Sequence, residues 1–184
     1  MLKAANALYR FLERIADATG WLLLVLMTVT VVDVIFRKFG VSNFPYTKFQ
    51  ELEWHLHTVI FSLWLGFNYC VNAHPRVDSY TDRLGFRTRA WIELAGCLAF
   101  ALPYTLVLVW YGWDFVHTAW RVGERSDTPL GLEYRWLIKG IMVAGLWLLL
   151  LGIVSVLLRL LAFLFGGKSA EEARLKIGSS VSTV

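Results

Sequence analysis

Glu51, Glu53, His55 and His57 crowd into one short stretch of the sequence. On a helix each histidine follows a carboxylate by four residues, so each imidazole comes within reach of an acid along the helix surface. That chemistry could relay a proton, ligate a haem, or form a polar seam against a neighbouring helix. A relay finds no continuation, because the acids sit near one end of the segment and no polar path leads onward. Haem ligation needs converging histidines. His55 and His57 face roughly opposite sides of a helix, His117 falls at a helix end and His74 in a loop, so a four-helix membrane haem protein is an alternative that the spacing fits poorly. The seam is better placed: Glu51, His55, Thr58, Ser62 and Gly66 share one narrow face, against either another protein or another helix of the same chain.

Two other charged residues sit in or beside apolar runs. Asp33 raises a small proton-coupled exporter as a further alternative, but it lies one turn from Arg37, where an ion pair requires no transport role. Lys139 can snorkel from the start of the last apolar run, and Gly140 with Ala144 gives a small-xxx-small contact there. No phosphate-binding glycine loop, nucleophile elbow or metal-ligand spacing occurs, so neither catalysis nor a cofactor is expected. Cys70 and Cys97 lie inside apolar runs and read as buried thiols.

The elements that position these residues follow from composition. Of 184 residues 57% are hydrophobic and 17% charged, and the mean hydropathy is +0.54. That is too apolar for a soluble domain of this size. A membrane-spanning helix needs about 20 mostly apolar residues, because backbone groups in lipid must be paired internally. Four stretches qualify, at about 20–36, 48–71, 88–115 and 136–164, which predicts an all-α integral membrane protein with one four-helix domain over residues 1–165. Their near-continuous apolar runs exclude a β-barrel. Residues 1–19 carry an amphipathic pattern and predict an interfacial helix. The second span is expected to open with a Thr47/Gln50 capping box, the third to kink near Ala99–Pro103, and Trp64 and Trp147 to pack at depth. Residues 166–184, rich in Gly, Ser and charge, read as a flexible cytoplasmic tail.

A net charge of +4 does not point to nucleic acid, because the cations flank the spans. Eleven Lys and Arg fall in the N-terminus, the loop between spans two and three and the tail, against seven on the other side. The positive-inside rule then places both termini in the cytoplasm. Only Val41–Glu53 and Arg121–Arg135 offer substantial surface on the outer side.

Several local patterns resemble the small membrane subunit of TRAP-type transporters, the DctQ-type family. They are Val31–Gly40 (VVDVIFRKFG), Gln50–His55 (QELEWH), Gly66 followed by His74, Pro75, Arg76, Val77 and Asp78, and Gly123–Ser126 (GERS) with Pro129, Gly131, Arg135, Trp136 and Lys139. The likeness runs from about Val31 to Leu161. QELEWH, RTRAWIE and GERS bring it nearest the mannitol/chloroaromatic or 2-oxo acid type subset. The resemblance implies a bacterial inner-membrane scaffold in lipid. Its partners would be a large multispanning permease subunit, which carries the substrate and sodium sites, and a periplasmic substrate-binding protein that delivers organic anions. Candidate assembly contacts are Glu51, Glu53, His55, His74, Arg76, Asp78, Glu124, Arg125 and Lys139. Arg76, Asp78, Asp82 and Arg83 are expected to fix the turn between spans two and three.

Overall fold

The computed structural model describes residues 1–40, 42–73, 83–128, 130–175 and 177. His74, Arg76, Asp78 and Asp82 lie outside the described residues. Among the described residues the ordered elements are all helical: α1 (Leu2–Gly20), α2 (Leu22–Lys38), α3 (Tyr46–Cys70), α4 (Phe86–Gly96), a π-helical turn (Cys97–Ala101), α5 (Leu102–Arg121) and α6 (Arg135–Leu164). Three helical stretches, Leu2–Lys38, Phe86–Arg121 and Arg135–Leu164, are long and apolar enough to cross a membrane. The helix α3 is not among them. Lys48, Glu51, Glu53, His55 and His57 make its first half too polar, although its 25 residues would reach about 37 Å at 1.5 Å per residue.

The helix α3 is the centre of the assembly, packed along α6, α1 and α2. Its contact with α6 is close because both helices drop their side chains there. A Cβ on Gly66 would stand 2.2 Å from the Leu148 carbonyl oxygen, and one on Gly145 would stand 2.4 Å from that of Ser62. The pairing advances from Ser62 with Gly145 to Gly66 with Gly152, so the two helices run parallel. The small residues that matter on α6 are therefore Gly145 and Gly152. The expected Gly140 contact is absent, since Gly140 faces open space. The helix α5 runs antiparallel to α6, with Gly112 against Val143 and Trp120 edge-on to Trp136.

The N-terminal helix is not an isolated surface element. Its buried Ala5, Leu12, Ala16 and Thr19 face the bundle, where Ser155 donates to the Ala5 carbonyl and the Trp64 indole donates to that of Ala16. Trp64 packs as expected; Trp147 does not, being 51% exposed. The capping box is also absent. Helix α3 starts at Tyr46 after Pro45 without a side-chain cap, and Gln50, with its amide oxygen turned toward α2, accepts from Arg37. The distortion expected ahead of Pro103 takes the form of the π-helical turn, in which the Leu102 N–H reaches back to the Cys97 carbonyl. One extra residue in the turn accommodates the donor that proline lacks.

At the far end from Glu51, Ala90, Leu94, Cys97, Leu160, Leu164 and Ile177 form a buried cluster. The stretch Ser169–Leu175, read from composition as flexible, folds into a turn closed by reciprocal bonds between Ser169 and Glu172. It buries Ala173 against the bundle.

Candidate functional site

The N-terminal end of α3 is held by the loop between α5 and α6. Glu51, on the α6-facing side of α3, accepts hydrogen bonds from the hydroxyls of Ser126 and Thr128 and from the Leu132 backbone N–H. All three donors come from one loop, so a single carboxylate ties the loop to the helix, and charge-assisted bonds of this kind are about twice as strong as neutral ones. The loop can approach because residue 131 is glycine: a Cβ there would stand 2.6 Å from the Glu51 Oε1 atom. The His55 ring does not meet the Glu51 carboxylate. Its Nδ1 bonds to the Glu51 backbone carbonyl at 2.5 Å, leaving the acid to the loop.

A second knot sits beside this one. Lys139, near the start of α6, forms a 2.5 Å ion pair with Glu124 and lies 3.9 Å from the centre of the Phe115 ring. Arg135 bridges Glu124 and Asp127 at 3.8 and 3.4 Å. Lys139 thus reaches back past the start of α6 to the loop, where Glu124 receives its charge. Arg125 pairs with Glu133 at 3.6 Å, with both side chains largely in solvent.

On α2, Asp33 is 4% exposed and pairs with Arg37 at 2.6 Å through one oxygen. Arg37 also lies over the Tyr46 ring, and the Tyr46 hydroxyl donates to the Phe36 carbonyl. The other oxygen of Asp33, Oδ1, is buried without a hydrogen-bond partner, and so is Oε1 of Glu53 on α3. Glu53 and His57 line a cavity of about 410 Å³ between α2 and α3, together with Leu26, Thr30, Trp54 and Thr58. The acid and imidazole that spacing had paired do share a cavity, yet the buried Glu53 oxygen stays unpaired.

Ser62 and Gly66, on the same narrow face as Glu51, lie against α6, so that part of the polar seam is internal to the chain. His117 is exposed on α5, far along the sequence from His55 and His57. Among the described residues no three His, Cys, Asp or Glu side chains gather as a metal site would require.

Sequence reasoning passed over Arg159, which it counted only as a flanking cation. Its guanidinium is buried, and it donates to the carbonyls of Ala173 and Arg174 and to the Asn6 side chain, with the Tyr9 ring 5.3 Å away. One arginine therefore joins α6, α1 and the C-terminal turn. The signal was available: a single cation inside the run VLLRLLAFL has to find partners.

A family model described as "Tripartite ATP-independent periplasmic transporters, DctQ component" matches residues 26–163. No significant match is found among curated proteins or among solved structures. The matched range takes in α2 to α6 nearly whole, and with them Glu51, Glu53, Lys139 and the loop between α5 and α6.

Proposed function

The chain belongs to the DctQ component family of tripartite ATP-independent periplasmic transporters, and from that premise we propose that it is the small scaffold subunit of such a transporter. As a transporter component it is not an enzyme. In this reading α3 is the fourth membrane span, and both termini lie in the cytoplasm of a bacterium whose inner membrane holds the complex. Support for the fourth span comes from the packing. The helix α3 lies parallel to α6 with its backbone in contact, and a helix packed in this way can enter lipid with polar residues on that flank, Glu51 among them, engaged by protein neighbours. The two faces of the bundle then differ in role. The loop of residues 122–134, fastened by Glu51 and Lys139, presents a shaped surface to a periplasmic binding protein, and the exposed apolar flanks meet the large permease subunit and lipid.

The observation that carries this proposal is the family match over residues 26–163. The internal engagement of Glu51, Lys139 and Arg159 agrees with it, because these groups hold the chain together instead of forming a transport path. Substrate and sodium sites belong to the large subunit under this reading, and the cargo is an organic anion such as a carboxylate or 2-oxo acid. The test is reconstitution: proteoliposomes holding both membrane subunits, given binding protein and a sodium gradient, take up the anion, and those holding this chain alone do not. Uptake by this chain alone would overturn the proposal.

A further inference from the structure

We propose that the crevice between α2 and α3 receives a lysine or arginine side chain from a transmembrane helix of the large permease subunit, with Glu53 as its counter-ion. The inference rests on the scaffold reading and assigns one of its contact sites.

The argument begins with charge. Oε1 of Glu53 is shielded from solvent and has no hydrogen-bond partner, and on the neighbouring helix α2 Oδ1 of Asp33 is in the same condition. Asp33 engages Arg37, and Gln50 turns toward the same guanidinium. Arg37 is thus committed to Asp33 and Gln50 and, among the described residues, forms no ion pair with Glu53. A carboxylate oxygen shut away from water without a partner is costly, and more so at membrane depth. His57 lies one turn beyond Glu53, is exposed and lines the same crevice, so the lining carries an acid and an imidazole together.

Its rim is apolar. Trp54, which lines the crevice, is 77% exposed, Leu26 lines its α2 side, and the outer surfaces of both helices carry further exposed apolar side chains, among them Phe61 on α3 and Val34 on α2. An acid set within an apolar collar fits a helix in lipid better than a soluble protein. Glu53 is seven residues into α3, about 10 Å below its start, which is deep for a lipid amine at headgroup level. A second copy of this chain is a poorer source of that cation. Arg37 is engaged by Asp33, Lys139 by Glu124, and Arg159 by backbone carbonyls and Asn6, and the other helical cations lie in α1 or near helix ends, as Lys38, Lys48, Arg87, Arg89 and Arg121 do. A different membrane chain is the better source at this depth, and the partner that fits is the permease.

The experiment is co-purification of the permease with a tagged copy of this chain, both expressed in full. Glu53→Lys should lower the permease recovered by at least about ten-fold, because attraction becomes like-charge repulsion, and Glu53→Gln should lower it by roughly three-fold. Reversal of one basic residue in the permease helices to Glu should restore recovery with Glu53→Lys. The isolated Glu53→Gln chain should keep the elution profile of the parent, which separates lost contact from lost fold. In a background with Cys70 and Cys97 replaced by Ala, Trp54→Cys should cross-link to the permease. Undiminished recovery with Glu53→Lys, or cross-linking of Trp54→Cys to a second copy, overturns this inference and leaves the scaffold reading intact. Failure of the unaltered chain to recover any permease brings down both.

Discussion

Glu51 and Glu53 are two residues apart on one helix and meet opposite fates. The first faces α6 and the loop after α5, and its carboxylate is filled by three donors of its own chain. The second faces α2 and leaves an oxygen buried and unpaired. The two flanks of α3 differ in the same way along their length. On the closed flank Ser62 and Gly66 touch the backbone of α6; on the open flank Trp54 and Phe61 are exposed. One flank is finished by intramolecular contacts, and the other has the polarity and exposure of a surface awaiting a partner. A helix that does both tasks cannot be uniformly apolar, which is why α3 falls short of the other spans in hydropathy.

The sharpest way to break this contrast is to enlarge a residue on each flank. Gly66→Leu forces a side chain into the Leu148 backbone, and since that backbone cannot step aside the substitution should cost about 3 kcal/mol or more. Detergent-solubilised protein should then be aggregated or absent on size-exclusion chromatography. Trp54→Ala on the open flank should leave the isolated chain's elution and melting unchanged. Equal damage from both changes would show that the open flank is as structural as the closed one.

Next in size comes the pair of acids themselves. Glu51→Ala removes the acceptor for two hydroxyls and a backbone N–H, so the isolated chain should lose about 2 kcal/mol of stability. A cysteine placed at Ser126 should react faster with a soluble maleimide. Glu53→Gln neutralises a half-buried carboxylate one of whose oxygens has no partner, and the isolated chain should be unchanged or slightly more stable. A larger loss of thermal stability with Glu53→Gln than with Glu51→Ala would reverse the comparison.

How much of this was legible beforehand depended on whether the deciding contact was local. Helix positions follow from apolar runs, and all four expected spans have helices at nearly the expected places, although only three helical stretches are apolar enough to qualify by themselves. A distortion near Ala99–Pro103 was legible because proline acts on its own helix, although its π-helical form was not. The narrow face of Glu51, His55, Thr58, Ser62 and Gly66 was visible from period alone, but the partner of that face was not, because it depends on which glycines of α6 come to the same level. Glycine spacing pointed to Gly140, and tertiary register selected Gly145 and Gly152. His55 was assigned to the Glu51 carboxylate, and a loop some 75 residues away took that carboxylate instead. For Arg159 the need for partners was visible in its apolar run, but their identity was not, since two are backbone carbonyls and the third, Asn6, lies 153 residues away.

A smaller effect is expected at the second knot. Lys139 and Glu124 are 17% and 28% exposed at their side chains, intermediate between the buried seam and free solvent. In a double-mutant cycle with Lys139→Met and Glu124→Gln, the coupling should be about 1 kcal/mol, read from thermal unfolding of the isolated chain. A coupling near zero would mean that Glu51 alone fastens the loop.

The smallest effect on stability, and the one that separates fastening from docking, concerns Arg125. Its pair with Glu133 is 3.6 Å long with side chains 73% and 52% exposed, so Arg125→Glu should change the stability of the isolated chain by less than about 0.5 kcal/mol. Its neighbour Glu124 is different, because Lys139 and Arg135 both depend on it, and Glu124→Arg should loosen the loop as well as alter its charge. If the loop meets the binding protein through complementary charge, Arg125→Glu slows uptake when binding protein is limiting, the defect shrinks as binding protein is raised, and added salt weakens uptake by the parent complex toward the level of the variant. The amount of assembled membrane complex stays the same throughout. Glu124→Arg would lower both docking and melting temperature. Normal uptake by Arg125→Glu across a full titration would place docking elsewhere in the complex and leave the loop with the single task of closing one flank of α3.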